Sequence, residues 1–200
     1  MAIHFCHGFL SLGPCNNPKN MKKLSTLLLA IALIASVNTV NAQGDPAPSP
    51  LQKITQMVGL TEVYIEYSRP SLDGRDMYTK LTPVGKRWRT GANARTVLKF
   101  SKDVKLEGNE VKAGEYNLFT IPGEDEWTII LNNNTAVKSP FSVDDANNIL
   151  SFKVKTAKIS ETIETFTINV TDFDKNAKDN ANIELAWENT SVKFKIEVTN

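Results

Sequence analysis

Cysteine and histidine are almost missing: the 200 residues hold two of each, and all four, His4, Cys6, His7 and Cys15, precede Asn16. Whatever follows has no Ser-His-Asp triad, Cys-His pair, HExxH zinc site or cysteine metal cluster. No disulfide can brace it, so apolar burial must hold the fold unaided. S-x-x-K, G-x-S-x-G, the P-loop and G-x-G-x-x-G are absent too. Arginine is missing from most of the chain, since all five arginines fall between residues 69 and 95. Nothing in the sequence names a reaction.

What is present reads as an ordinary globular protein, with 41% hydrophobic residues, 22% charged residues and a formal charge of +1. From Met21 the chain runs MKKLSTLLLAIALIASVNTVNAQ. Lys22 and Lys23 form a basic n-region, Leu24 to Val37 an apolar run, and Val40-Asn41-Ala42 a small-residue cleavage site before Gln43. The run is shorter than the roughly 20 residues a bilayer crossing needs. Residues 21–42 are therefore expected to be a signal peptide, and residues 1–20 a mis-assigned start extension, because n-regions are short and basic. No cysteine follows the run to accept a lipid anchor. The expected location is the periplasm or the exterior, with no membrane span in the mature protein.

Residues 43–200 carry 20 basic against 22 acidic side chains, a net −2 that makes nucleic acid an improbable partner. Pro46, Pro48 and Pro50 make residues 43–50 an extended linker. Residues 51–200 are then one domain in which apolar residues recur at every second position, the period of a half-buried strand. Val63, Ile65 and Tyr67 alternate with Glu62, Glu66 and Ser68. Leu98 and Phe100 flank Lys99, and Val104 and Leu106 flank Lys105. Glu107-Gly108-Asn109 and Pro122 to Asp125 read as turns. Further strands are expected at Leu150–Val154, Phe166–Val170, Ile183–Trp187 and Val192–Val198. Short helices are expected only near Asp76 to Leu81 and Val143 to Asn148, the second capped by Ser142. The fold class is all-β: an antiparallel β-sandwich, with a barrel-like alternative.

One segment breaks the pattern. Residues 69–95, RPSLDGRDMYTKLTPVGKRWRTGANAR, carry a net charge of +5, against −7 for the rest of residues 43–200. So long a connection inside a domain is uncommon and usually functional or disordered, and Trp88, Tyr78 and two prolines argue for order. On one reading, Arg69, Arg75 and Arg89 converge on a carboxylate, phosphate or sulfated ligand while Trp88 or Tyr78 stacks on its apolar or sugar face. Asn93, with Gly91 and Ala92, would let backbone amides approach the ligand. On the other, the arginines pair with Glu62, Glu66, Glu184 or Glu188 and pin the segment across the mouth of the sandwich. The candidate ligand residues are Arg69, Arg75, Tyr78, Trp88, Arg89 and Asn93.

Other candidates are weaker. Glu124, Asp125 and Glu126 fall in a turn, where solvated carboxylates are the norm. Asp172, Asp174 and Asn176 have the first spacings of a calcium loop, but Ala177 replaces its glycine and Ile183 stands where its final glutamate should be. A polar inter-strand loop is the better reading. Trp127 and Trp187 belong to the core, and Tyr64 faces outward beside the arginine segment.

The strings VGLTEVYIEYSRPSLDGRDMY, LTPVGKRWRTGAN, VKAGEYNLFTIPGEDEWTIILN and IELAWEN together resemble the domain of unknown function 2911 family of exported bacterial proteins, from about Ser49 to the end. The resemblance implies an exported β-rich domain and brings no established activity, cofactor or catalytic residue. Arg69, Pro70, Gly74, Arg75, Gly85, Lys86, Trp88, Arg89, Gly91, Ala92 and Asn93 sit at matching positions. Ala94 replaces the family's usual acidic residue, and Arg87 an apolar one.

The leading expectation is a non-catalytic module that binds an anionic or glycan ligand, or an envelope partner protein, through residues 69–95. It needs no cofactor and no metal. The alternatives are a hydrolase that uses paired carboxylates on envelope polysaccharide and a structural envelope component.

Overall fold

A computed structural model describes residues 46–136 and 143–198. The start-extension and signal-peptide readings, residues 43–45 of the linker, and the Ser142 cap lie outside the described residues. Nine strands follow in order: β1 (Leu51–Val58), β2 (Thr61–Ser68), β3 (Ala92–Phe100), β4 (Val104–Leu106), β5 (Asn109–Val111), β6 (Gly114–Ile121), β7 (Glu126–Asn132), β8 (Asn148–Thr171) and β9 (Asn180–Val198). They form one open antiparallel sheet in the order β1-β2-β3-β6-β7-β8-β9-β4-β5. The protein is all-β, as its period-two pattern predicts. Among the described residues the helical turns are Met77–Leu81, capped by Asp76, and Asp145–Asn147, capped by Asp144.

The sheet doubles over because of β8. Up to Lys155 it pairs with β7, and from Thr156 onward with β9. The sequence reads as two strands here, with polar residues between; the structure joins them into a single strand of 24 residues. Register shifts between Lys158 and Ile163, and again before Thr167, bulge and bend it. Residues distant in the strand order therefore meet face to face. The rings of Tyr67 on β2 and Phe166 on β8 lie 5.7 Å apart. One core gathers Val58, Ile65, Leu98, Leu106, Leu118, Trp127, Phe166, Trp187 and Phe194. Each such side chain contributes about 1.5–3 kcal/mol by leaving water.

Turn chemistry sets two of the hairpins. Gly59 has a φ of 53° at the first position of the β1–β2 turn, and Glu107 and Gly108 both have positive φ between β4 and β5. Strand β1 is not legible as a strand in the sequence, because glutamines occupy its inward positions. The Tyr67 hydroxyl satisfies one of them by donating to Gln52 Oε1 at 2.8 Å. Strand β6 is buried on both faces, with Tyr116 to Thr120 all inaccessible. On its outer side Phe119, Ile130 and Val97 are buried beside Asn117 and Asn132. The asparagine amides donate to the carbonyls of Asn134 and Asp144, which cap this outer layer.

Candidate functional site

Residues 69–91 run from β2 to β3 as an ordered strap. Its first stretch pairs with β8: Phe166 N donates to Pro70 O and Leu72 N to Glu164 O, both at 2.9 Å. Its last stretch pairs with β6, where Trp88 and Thr120 exchange backbone hydrogen bonds of 2.7 and 3.0 Å. That pairing sets the Trp88 ring among aromatic neighbours. It stacks on Trp187 at 5.5 Å and 17° and meets Phe166 and Trp127 edge-on at 4.8 and 6.2 Å. Its indole N–H donates to Gly91 O at 3.0 Å. Tyr78 adds a polar link, donating to Gly123 O and accepting from the Trp127 indole, both at 3.2 Å. Both rings are spent on the protein itself.

A hook follows. Thr90 has a φ of 56°, a left-handed conformation costly for a β-branched residue. Buried hydrogen bonds hold it there, from its hydroxyl to Thr120 Oγ1 and to its carbonyl from Thr96 Oγ1. Gly91 is required beside it, since a Cβ would meet Thr96 Oγ1 at 2.9 Å and Ser68 O at 3.0 Å. Asn93 has a φ of 55° and donates its side-chain amide to Ser49 O, tying down the start of the domain.

The arginines do not converge. Arg69 donates to Phe166 O at 3.0 Å and to Thr167 Oγ1 at 2.8 Å. Arg75 donates to the carbonyls of Leu72 and Ser71, and Arg89 to that of Asn93 at 2.6 Å. Arg87 pairs with Asp145, whose carboxyl the guanidinium holds below its ordinary pKa. None of these four bonds Glu62, Glu66, Glu184 or Glu188, the acids expected as partners. Backbone carbonyls take most of that role, and a sequence cannot show which carbonyls a fold leaves open.

Arg95 is the exception in direction. Between Glu66 and Ser68 of β2, strand β3 advances five residues, from Ala92 to Val97, where β2 advances two. The resulting bulge puts Arg95 on the outer face of the sheet, where it pairs with Glu115 and donates to Asn117 Oδ1 at 2.8 Å. Bulges often re-aim a side chain in this way beside a functional surface. Next to it Tyr64 donates to Glu66, and Lys53 reaches the same carboxylate at 3.1 Å. The Tyr64 hydroxyl and the Lys53 ammonium hold the Glu66 carboxyl below its ordinary pKa, while Glu66 raises those of Tyr64 and Lys53.

These two networks line a groove of about 510 Å³ completed by Thr55, Glu62, Val97 and Lys99. Sequence reading set Glu62, Glu66 and Lys99 opposite the apolar positions of their strands and Tyr64 outward, but did not group them, and it missed Glu115 and Thr55. All lie at polar positions of period-two strands, but only the β1-β2-β3-β6 order makes them neighbours. Elsewhere, Asp174 accepts from the amides of Asn176 and Ala177, and Asp172 pairs with Lys193. Among the described residues no group of three or more acidic side chains is placed to hold a metal ion, and no helix is long and apolar enough to cross a membrane.

Fold and surface thus define an all-β protein with a strapped core and a polar groove on one outer face. The chain belongs to the DUF2911 family: the family model described as a protein of unknown function (DUF2911) matches residues 49–196. Neither the curated proteins nor the solved structures give a match.

Proposed function

We propose that this is an exported, non-catalytic binding module whose ligand is a saccharide segment held in the outer-face groove. The observation that carries the proposal is the groove itself, where Tyr64, Glu66, Arg95 and Glu115 are fixed by one another before any ligand arrives. A concavity of this volume with a few convergent polar groups is the normal form of a small-ligand site. Three carboxylates against Arg95 and Lys99 make an anionic ligand unfavourable, which selects the glycan from the expected ligand classes. The hydroxyl-rich edge of a sugar can share carboxylate and guanidinium partners, and the Tyr64 ring offers an apolar face. Export is supported by the signal-like pattern of residues 21–42.

Carboxylate catalysis is the less favoured reading. A glycosidase needs one carboxyl kept protonated near neutral pH. Glu66 is shifted the opposite way, and Glu115 is tied to Arg95. Titration calorimetry with glucose and N-acetylglucosamine oligomers tests the proposal. Saturable binding that Tyr64→Ala and Arg95→Ala each weaken at least about tenfold is expected, a loss of about 1.4 kcal/mol. Binding that survives both substitutions, or turnover of the oligomers, would overturn it.

A further inference from the structure

The tips of the β1–β2 hairpin and of the β8–β9 connection meet at one end of the sheet. Val58 and Leu60 from the first face Phe173, Asp174, Lys178 and Asn180 from the second around a cavity of about 490 Å³. Leu60 and Phe173 are 62% and 43% exposed, among the few large apolar side chains the described residues leave in water. Scattered apolar residues need no explanation, but two on opposite walls of one cavity form a site.

The connection that carries Phe173 is locked into shape. Asp174 Oδ1 accepts from Asn176 N at 2.7 Å and Ala177 N at 3.0 Å, and Lys178 N donates to Asp174 O at 3.0 Å. Asp172 and Lys178 hold left-handed backbones, with φ of 53° and 59°, on either side of the turn. Such strain persists only where the surroundings over-determine it, and it favours functional loops. The carboxylates are already engaged, Asp172 by Lys193 and Asn182 and Asp174 by the amides of its own turn. The Lys178 ammonium forms no ion pair among the described residues, while the oxygens of Asp174, the other charged residue of the lining, face the amides of their own turn.

We propose that this cavity binds a small amphipathic carboxylate, its aliphatic or aromatic body between Leu60 and Phe173 and its anionic end at Lys178. The site is separate from the groove at Tyr64 and does not depend on it.

The probe is decanoate, compared with decanol and decyltrimethylammonium by calorimetry and amide chemical-shift mapping on the purified protein. Decanoate should bind saturably, with shifts confined to residues 57–61 and 172–181. Phe173→Ser should weaken it about tenfold through lost apolar contact. Lys178→Gln should cut the preference for decanoate over decanol about threefold, the size of an exposed charge contact. Both positions are at the surface, so melting points should hold, and Tyr64→Ala should leave decanoate binding unchanged. Absence of saturable binding, binding indifferent to Phe173→Ser, or a concentration-dependent dimer abolished by Phe173→Ser would each overturn the proposal. The last would show that a second copy of the chain occupies the cavity.

Discussion

The strap of residues 69–91 and the groove on the outer face of β1, β2, β3 and β6 both combine arginine, aromatic and polar side chains, yet they spend them differently. In the strap, guanidinium groups go mainly to carbonyls and hydroxyls, and the Trp88 ring is surrounded by Trp187, Phe166 and Trp127. In the groove, Arg95 pairs with Glu115 across β3 and β6, Tyr64 donates to Glu66 along β2, and all four still line an open concavity. A cluster of arginine in the sequence thus marks two things at once. Its larger part fastens a long connection, and only its last member, re-aimed by a bulge, reaches a surface a ligand can use.

Substitutions can break that division, and the strap should show the largest effects. Trp88→Ala removes the centre of the aromatic cluster and is expected to cost about 3–5 kcal/mol in denaturant unfolding. A cost under about 1 kcal/mol would mean that the strap does not hold the core. Gly91→Ala forces a Cβ against Ser68 O and Thr96 Oγ1. Overpacking of this kind costs about 1–3 kcal/mol, readable as a lower melting point with the same unfolding slope. Arg69→Ala leaves Phe166 O and Thr167 Oγ1 without their donor, a loss of about 1.5–3 kcal/mol.

On the groove side the expected stability effects are small. Arg95→Ala should cost about 1 kcal/mol, less than Arg69→Ala, since its ion pair with Glu115 is partly exposed and only Asn117 Oδ1 loses a buried donor. The smallest effect is one of pH. Because Glu66 has a lowered pKa in the folded protein, its contribution is complete above the ordinary carboxylate range and is lost as pH falls through the depressed value. Glu66→Gln should therefore lower the neutral plateau slightly, leave stability at low pH unchanged and so flatten the acid limb. A steeper acid limb in the variant would contradict the Tyr64 and Lys53 assignments.

The strand pattern of this protein was legible because its apolar residues keep period two from Val63 to Val198. Trp127 and Trp187 were legible as core for the same reason, and both are nearly inaccessible. Strand β1 was hidden by Gln52 and Gln56 at half-buried positions, the first bonded by the Tyr67 hydroxyl and the second donating to Met57 O. The length of β8 was hidden by Lys158 to Glu164, polar residues that stay in strand while bulging from the ladder. Phe119 and Ile130 escaped a one-faced reading because the outer side of β6 and β7 is buried too. The candidate site was the least legible part. Arg95 counted as one arginine among five, and what separates it from the others is a register shift that no spacing rule reports.

The central claim is that the strap stabilises and the groove recognises, and one paired measurement addresses it most directly. Melting temperature and oligosaccharide affinity are measured together for Arg69→Ala and Arg95→Ala. The account predicts opposite profiles: Arg69→Ala melts several degrees lower and, while folded, binds as tightly as the parent. Arg95→Ala melts near the parent and loses binding about tenfold or more. If Arg69→Ala abolishes binding at temperatures where it is folded while Arg95→Ala binds normally, the assignment is reversed and the strap is the ligand site.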